Sequence, residues 1–196
     1  MRGVKSINVM HGEKYYYMRD SFVHYDEFFV WSQTYVDLFL SMRAAKEQFV
    51  VEVPRSLRIE NDGSIEKKYD CTYYLAVPTD EELAITAEKL KKLNDCGNRI
   101  SVRPHPRYSD ISKVRALFPF ANIEDVKAVT IEESLLQTRA AVAIYSTVLY
   151  QAYCNGIAAV IDDVSAPARF ARLKEVGYVM LSLEHRLLSE MLEEIR

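Results

Sequence analysis

Glycine is scarce in this chain, at 6 residues of 196, against a usual share of about 7%. That leaves little room for the glycine-rich loops that cradle phosphates in many nucleotide-binding proteins. Cysteine is sparse as well. Cys71, Cys96 and Cys154 are odd in number and far apart, so neither a disulfide framework nor a zinc knuckle is indicated, and a reducing cytosolic compartment fits. No uninterrupted apolar run reaches the ~18 residues needed to cross a bilayer. The opening MRGVKSINVMHGEKYYY has no signal-peptide core and no small-residue cleavage site. A basic excess is also missing: 25 Lys+Arg stand against 28 Asp+Glu, a formal net charge of −3. A nucleic acid would find no cationic footprint in that balance, and none is expected as a partner.

What remains is an ordinary globular mixture, 49% hydrophobic and 27% charged. A chain of 196 residues suits one domain spanning 1–196. Tyrosine is abundant at 13, with Tyr15, Tyr16, Tyr17 and Tyr25 near the start. An apolar ring with a polar tip suits the half-buried edge of a sheet. Along the chain, short apolar runs alternate with helix-period segments. Residues 6–10 and 27–32 read as strands, 33–45 as an amphipathic helix, and 49–53 as a buried strand that stops at Pro54. Residues 54–70 carry an Asn61-Asp62-Gly63 turn signal and predict an exposed loop or hairpin. From Cys71 the alternation is regular. Strands are predicted at 71–78, at 100–103 before Pro104, at 140–146, 157–163 and 178–183. Helices are predicted at 79–94 with Thr79 as N-cap and Gly97 as C-cap, at 109–117, from Thr130, at 147–155, 168–175 and 184–196. Wholly apolar strands separated by helices indicate a parallel sheet covered on both faces. The expected fold class is therefore α/β, a Rossmann-like, doubly wound, mostly parallel sheet, with 140–146 in its centre.

Ligands of such sheets bind beyond the carboxyl ends of the strands, where loops enter helix N-termini. Those ends read, in order, His11-Gly12-Glu13, Arg103-Pro104-His105-Pro106-Arg107, Tyr145-Ser146-Thr147 and Asp162-Asp163. Ser146 and Thr147 join a hydroxyl to free backbone N–H groups at a helix start; that makes an anion site, and it is equally the chemistry of an ordinary N-cap. His105 stands between two prolines that preset its backbone. It can hydrogen-bond a phosphate or protonate a leaving group, or it is a surface histidine in a rigid turn. His11 is a base candidate or phosphate contact, with Gly12 allowing a ligand close to the backbone, or part of a plain strand-to-loop turn. Asp162-Asp163 reads as a metal pair or, more commonly, a strand-end turn. His24 and His185 read as solvated. Independent structural roles rarely place histidine, arginine and Ser-Thr on the same edge of one sheet.

The pair RPHPR and AIYSTVLYQAYCNGIAAVIDD resembles the nucleotide-binding C-terminal half of bacterial GT-B glycosyltransferases, nearest the capsule and lipooligosaccharide sialyltransferases and polysialyltransferases. VMHGEKYYY followed by YDEFFVWSQTYVDLF is similar to the His-Gly segment of those enzymes and of CDP-glycerol glycerophosphotransferases. The resemblance covers residues 6–165. It implies one half of a GT-B fold, a nucleotide-sugar donor of CMP-sialic acid type, a glycan acceptor in surface polysaccharide synthesis, and a cytoplasmic protein in peripheral association with the membrane. It implies no metal and no other cofactor, because such donor sites neutralise phosphate with His, Arg and helix dipoles. Carried over residue by residue, Arg103 and His105 contact the donor phosphate, with His105 also assisting departure of the nucleotide. Ser146 and Thr147 bind the same phosphate, and His11 is the catalytic base or a second phosphate contact. Gln151 stands where many GT-B proteins carry a ribose-binding glutamate. Asn61-Asp62-Gly63 only partly matches the acidic-acidic-Gly motif of the sialyltransferases, and no role is carried over to it. GT-B enzymes set the site between two Rossmann-like domains, so a homo-oligomer or partner chain is expected to complete the cleft. The other readings are a non-catalytic or truncated nucleotide-binding module, and CDP-alcohol phosphotransfer.

Overall fold

The computed structural model describes residues 3–15, 23–60 and 65–195. The sequence predicts one domain over 1–196. The chain instead divides into two compact units, the first made of Met1–Arg58 and Arg172–Leu183, the second of Ile59–Ala171 and Glu184–Arg196, with the strands gathered into two separate sheets. The polar stretch after Pro54 interrupts the succession of strands, so those before and after it pair with different neighbours.

The first unit holds strands β1 (Ile7–Val9), β2 (Glu27–Val30) and β3 (Phe49–Val51), in that order and all parallel. Helix α1 (Gln33–Ser41) buries Tyr35, Val36 and Phe39, the one-sided spacing of an amphipathic helix. The ring of Phe39 lies 5.0 Å from Phe28 and stacks on Phe49 at 5.7 Å, and Phe28 and Phe49 are register partners across β2 and β3. Tyr25 meets Phe28 edge-on at 5.6 Å, and Tyr15 lies 5.9 Å from Tyr178. Tyr16 and Tyr17 lie outside the described residues. The predicted strand at 178–183 is a 3-10 turn over Val179–Ser182. Its apolar residues are explained by burial alone, Val179 at 1% and Met180 at 0% exposed; a short apolar run does not by itself separate strand from buried turn.

The second unit contains a six-stranded sheet of β4 (Tyr69–Tyr74), β5 (Ile100–Arg103), β6 (Asn122–Ile123), β7 (Thr138–Ala143), β8 (Ala158–Ile161) and β9 (Arg186–Leu187), every pairing parallel and ordered β6-β5-β4-β7-β8-β9. Helices α2 (Asp80–Asp95), α3 (Ile111–Leu117), α4 (Ile131–Gln137) and α5 (Thr147–Cys154) connect them, α6 (Pro167–Glu175) has its residues 167–171 in this unit, and α7 (Leu188–Glu193) follows β9. The core joins Tyr73 and Val102 of the sheet to Leu90, Leu93, Val114 and Phe118 of the helices. Thr79 and Glu82 close a capping box at the start of α2, and Thr130 and Glu133 do the same for α4. Gly97 at φ +92 and Gly156 at φ +67 stop α2 and α5 in the left-handed region. The predicted helix over 184–196 begins later than expected, because residues 186–187 pair with β8 and cover its open edge. Of the predicted loop at 54–70, Arg55–Leu57 forms a 3-10 turn, and the Asn61-Asp62-Gly63 signal lies outside the described residues. No helix among the described residues is long and apolar enough to cross a membrane.

Candidate functional site

Counted along the second unit, its strand order is 3-2-1-4-5-6, and the chain winds outward in opposite directions from the adjacent β4 and β7. The crevice at the carboxyl ends of such a pair is where open α/β sheets receive ligands. The two helices that start there differ in charge. In α2, Asp80, Glu81 and Glu82 occupy the first turn, and the Glu82 carboxylate accepts the Thr79 N–H at 2.7 Å, so its positive end is already answered. In α5 the first turn has no acidic residue, and Ser146 caps it by accepting the Val148 N–H at 3.2 Å. The amino terminus of α5, with Ser146 and Thr147 half-buried, therefore brings a positive helix end with no acidic residue in its first turn to the crevice.

His105 lies two residues beyond β5 on the same edge. With β4 between β5 and β7, the strands carrying His105 and Ser146 run about 10 Å apart, twice the usual spacing. Ser109 holds the histidine backbone by accepting its N–H at 2.8 Å. The Arg107 backbone N–H donates to His105 Nδ1 at 3.1 Å, and the ring packs on Tyr108 at 4.6 Å. A nitrogen that accepts a hydrogen bond carries no proton, so this contact selects the tautomer with its proton on Nε2. Desolvation, aided by the Arg107 charge, lowers the pKa of the ring from its ordinary value. At neutral pH His105 is thus a neutral Nε2–H donor, with the exposed Arg107 beside it. The cation beside the ring is Arg107, where the sequence predicts Arg103 as the phosphate contact.

Arg103 is turned inward. Its Nη1 donates to Glu124 Oε2 at 2.8 Å and its Nη2 to the Val129 carbonyl at 2.9 Å, with side-chain exposures of 8% for Arg103 and 3% for Glu124. Ser134 Oγ donates to the other Glu124 oxygen at 2.8 Å, and Tyr74 joins through Ser134. The fork expected on phosphate is taken up by a carboxylate. Gln151 is 5% exposed on α5, so the residue expected at ribose is packed inside. Asp162 is the strand-end turn: it accepts the Tyr73 hydroxyl at 2.7 Å and the Val164 and Ser165 amides at 3.0 and 2.8 Å. Asp163 accepts both the amide and the hydroxyl of Ser189. Among the described residues, no group of three or more His, Cys, Asp or Glu side chains could hold a metal.

In the first unit, His11 is exposed just past β1 and lines a pocket of about 220 Å³ with Lys14, Asn8 and Tyr25 over a floor of Phe28 and Phe39. Glu13 follows, with its Oε2 accepting the Tyr35 hydroxyl. Burial pushes its carboxyl up to about 7, against a lowering pull from Tyr35. The sequence places Glu13 at the strand end beside His11 but assigns no role to it or to Lys14; a carboxylate within two residues of a histidine is the available signal.

No protein-family model matches the sequence, and no curated protein is significantly similar to it. Solved structures do share its fold. A variant of the wall teichoic acid polymerase TagF, soaked with CDPG, matches 87% of this chain and 48% of its own at a TM-score of 0.56 and 15% identity. TarM matches 99% of this chain and 43% of its own, at 0.56 and 12%. The UDP-GlcNAc 2-epimerase of Methanocaldococcus jannaschii, in complex with UDP-GlcNAc and UDP, matches 86% and 53%, at 0.55 and 13%. The fold class expected from the sequence, Rossmann-like α/β with parallel sheets, is the one observed, and it is of GT-B type. The chain spans about half the length of the structures it matches.

Proposed function

We propose that the chain is a glycosyltransferase-like protein of bacterial surface polysaccharide synthesis, binding a nucleotide-sugar donor of CMP-sialic acid type and passing its sugar to a glycan acceptor. One observation carries this reading: the Nε2–H of His105, the Arg107 charge and the acid-free amino terminus of α5 share the carboxyl edge that flanks the β4–β7 crevice. Together they offer hydrogen-bond donors and positive charge to a phosphate without a metal. In the transfer, the acceptor oxygen bonds to the anomeric carbon while the bond from that carbon to the donor phosphate breaks. The nucleotide departs with the electron pair, held by His105, Ser146 and Thr147, and a base of the completed cleft takes the acceptor's proton; within the first unit, His11 keeps its reading as a base or phosphate contact. A second copy or a partner chain contributes the rest of the cleft, and the protein works in the cytoplasm at the membrane surface. Transfer from CDP-glycerol is the second reading, favoured by the similarity to CDPG-soaked TagF together with the His11-Gly12 turn.

Calorimetric titration of CMP, CDP and UDP tests the reading. The wild type is expected to bind a cytidine nucleotide, and His105→Ala to weaken it about 10- to 100-fold, the ~1.5–3 kcal/mol of a hydrogen bond to a charged group. Binding that is indifferent to His105→Ala contradicts the site. The purified chain alone is expected to transfer little, since orienting an acceptor supplies roughly 7–11 kcal/mol of barrier reduction; robust turnover by the monomer removes the need for a completing partner.

A further inference from the structure

Two aromatic side chains hold the turn that carries His11. The Trp31 indole N–H donates to the Met10 carbonyl at 2.9 Å, immediately before His11. The Tyr35 hydroxyl donates to Glu13 Oε2, immediately after Gly12. Trp31 and Tyr35 are 3% and 0% exposed and meet edge to face at 6.0 Å and 87°. Both ends of the turn are thus pinned to one rigid pair of rings. Between them, a Cβ at Gly12 would meet nothing within 4 Å, which leaves the middle of the turn room to pivot.

Glu13 is the unusual member. Its Oε1 is buried and has no hydrogen-bond partner among the described residues, and a native orphan of this kind calls for an explanation. A neutral carboxyl can stay buried on the single Tyr35 bond. A carboxylate there leaves charge on an unpartnered oxygen, which is costly. Among the described residues, the titratable neighbours on its own segment are His11 and Lys14, and from α1 the titratable group that faces it is Tyr35.

We propose that Glu13 is a positioning residue for His11: protonated, it sits buried and holds the His11-Gly12 turn against α1, and ionised, it keeps the Tyr35 bond while its unpartnered Oε1 draws the turn into a different position. The proposal rests on the reading of His11 as the base or a phosphate contact. It makes the placement of His11 depend on a proton held two residues away. Because burial lifts the Glu13 carboxyl to about 7, the protonated arrangement predominates below neutrality and gives way to the ionised one as the pH rises through it.

Trp31 is the only tryptophan in the chain, so its indole N–H is a single, unambiguous NMR reporter. In the full chain, its resonance and that of the His11 backbone amide are expected to share an inflection near pH 7, where Glu13 titrates. In His11→Gln the Trp31 inflection persists. Glu13→Gln keeps a side chain that can accept from Tyr35 and carries no titrating proton, so the inflection disappears. Tyr35→Phe removes the bond that lowers the carboxyl's pKa, so the inflection moves to higher pH. An inflection that survives Glu13→Gln, or that Tyr35→Phe leaves in place or moves down, overturns the proposal. So does a Trp31 inflection that the wild-type His11 backbone amide does not follow. Nucleotide binding enters none of these readouts, so a failed donor titration and a failed Glu13 titration are separate results.

Discussion

Replacing Arg103 by alanine is expected to cost the second unit about 3–5 kcal/mol, the loss seen when one partner of a buried ion pair is removed. The cost comes from what is left behind. Glu124, 6% exposed, keeps its hydrogen bond from Ser134 but loses the guanidinium paired with it, and the Val129 carbonyl loses the donor Nη2. Against a typical domain stability of 5–15 kcal/mol, this is a large fraction. The double variant Arg103→Met with Glu124→Leu is expected to recover part of the loss, since buried pairs are often replaceable by apolar residues of similar volume. Urea unfolding followed by circular dichroism measures both variants. A fully stable Arg103→Ala that has lost nucleotide affinity would return Arg103 to the phosphate site and contradict its reading as a structural residue.

Asp162→Ala is expected to cost at least about 3 kcal/mol by the same measurement, because each buried donor left unpaired costs roughly 1–3 kcal/mol. The amides of Val164 and Ser165 lose their acceptor in the turn that leads into α6, and the Tyr73 hydroxyl loses a carboxylate that is 0% exposed. Burial and the Asp162 charge raise the Tyr73 pKa well above its ordinary value, so the hydroxyl remains a donor throughout the accessible pH range, and the loss should not vary between pH 6 and 9. A variant as stable as wild type would reopen the metal-pair reading of Asp162-Asp163.

Much of the second unit was legible because its signals are local. Thr79 and Glu82, Thr130 and Glu133, and Gly97 and Gly156 mark helix ends within a few residues, and the apolar runs at β5, β7 and β8 need no partner to be recognised. The central place of β7 followed from an apolar run that needs cover on both faces. What was hidden depends on distant partners. Arg103 turns inward because Glu124, 21 residues away, supplies a carboxylate inside the sheet, and no spacing rule announces that. The 3-10 turn at Val179–Ser182 is apolar for burial rather than for pairing. The division into two units depends on where strands find neighbours, which the alternation of elements leaves open. At the candidate site, the residue types and the edge were readable. The tautomer of His105 and the Tyr35 bond to Glu13 were not, since each is set by a single side-chain geometry.

The central claim is that the carboxyl edge around β4, β5 and β7 receives a nucleotide phosphate. Backbone amide mapping by NMR during a CDP titration tests it most directly. The account predicts that the largest shift changes fall on 105–109 and 145–148, with the Arg107 and Val148 amides, which donate to His105 Nδ1 and Ser146 Oγ, among the strongest responders. Shift changes centred instead on Tyr153, Gly156 and His185, which line a hollow at the opposite end of β8, or a spectrum unmoved at saturating CDP, CMP and UDP, would contradict it.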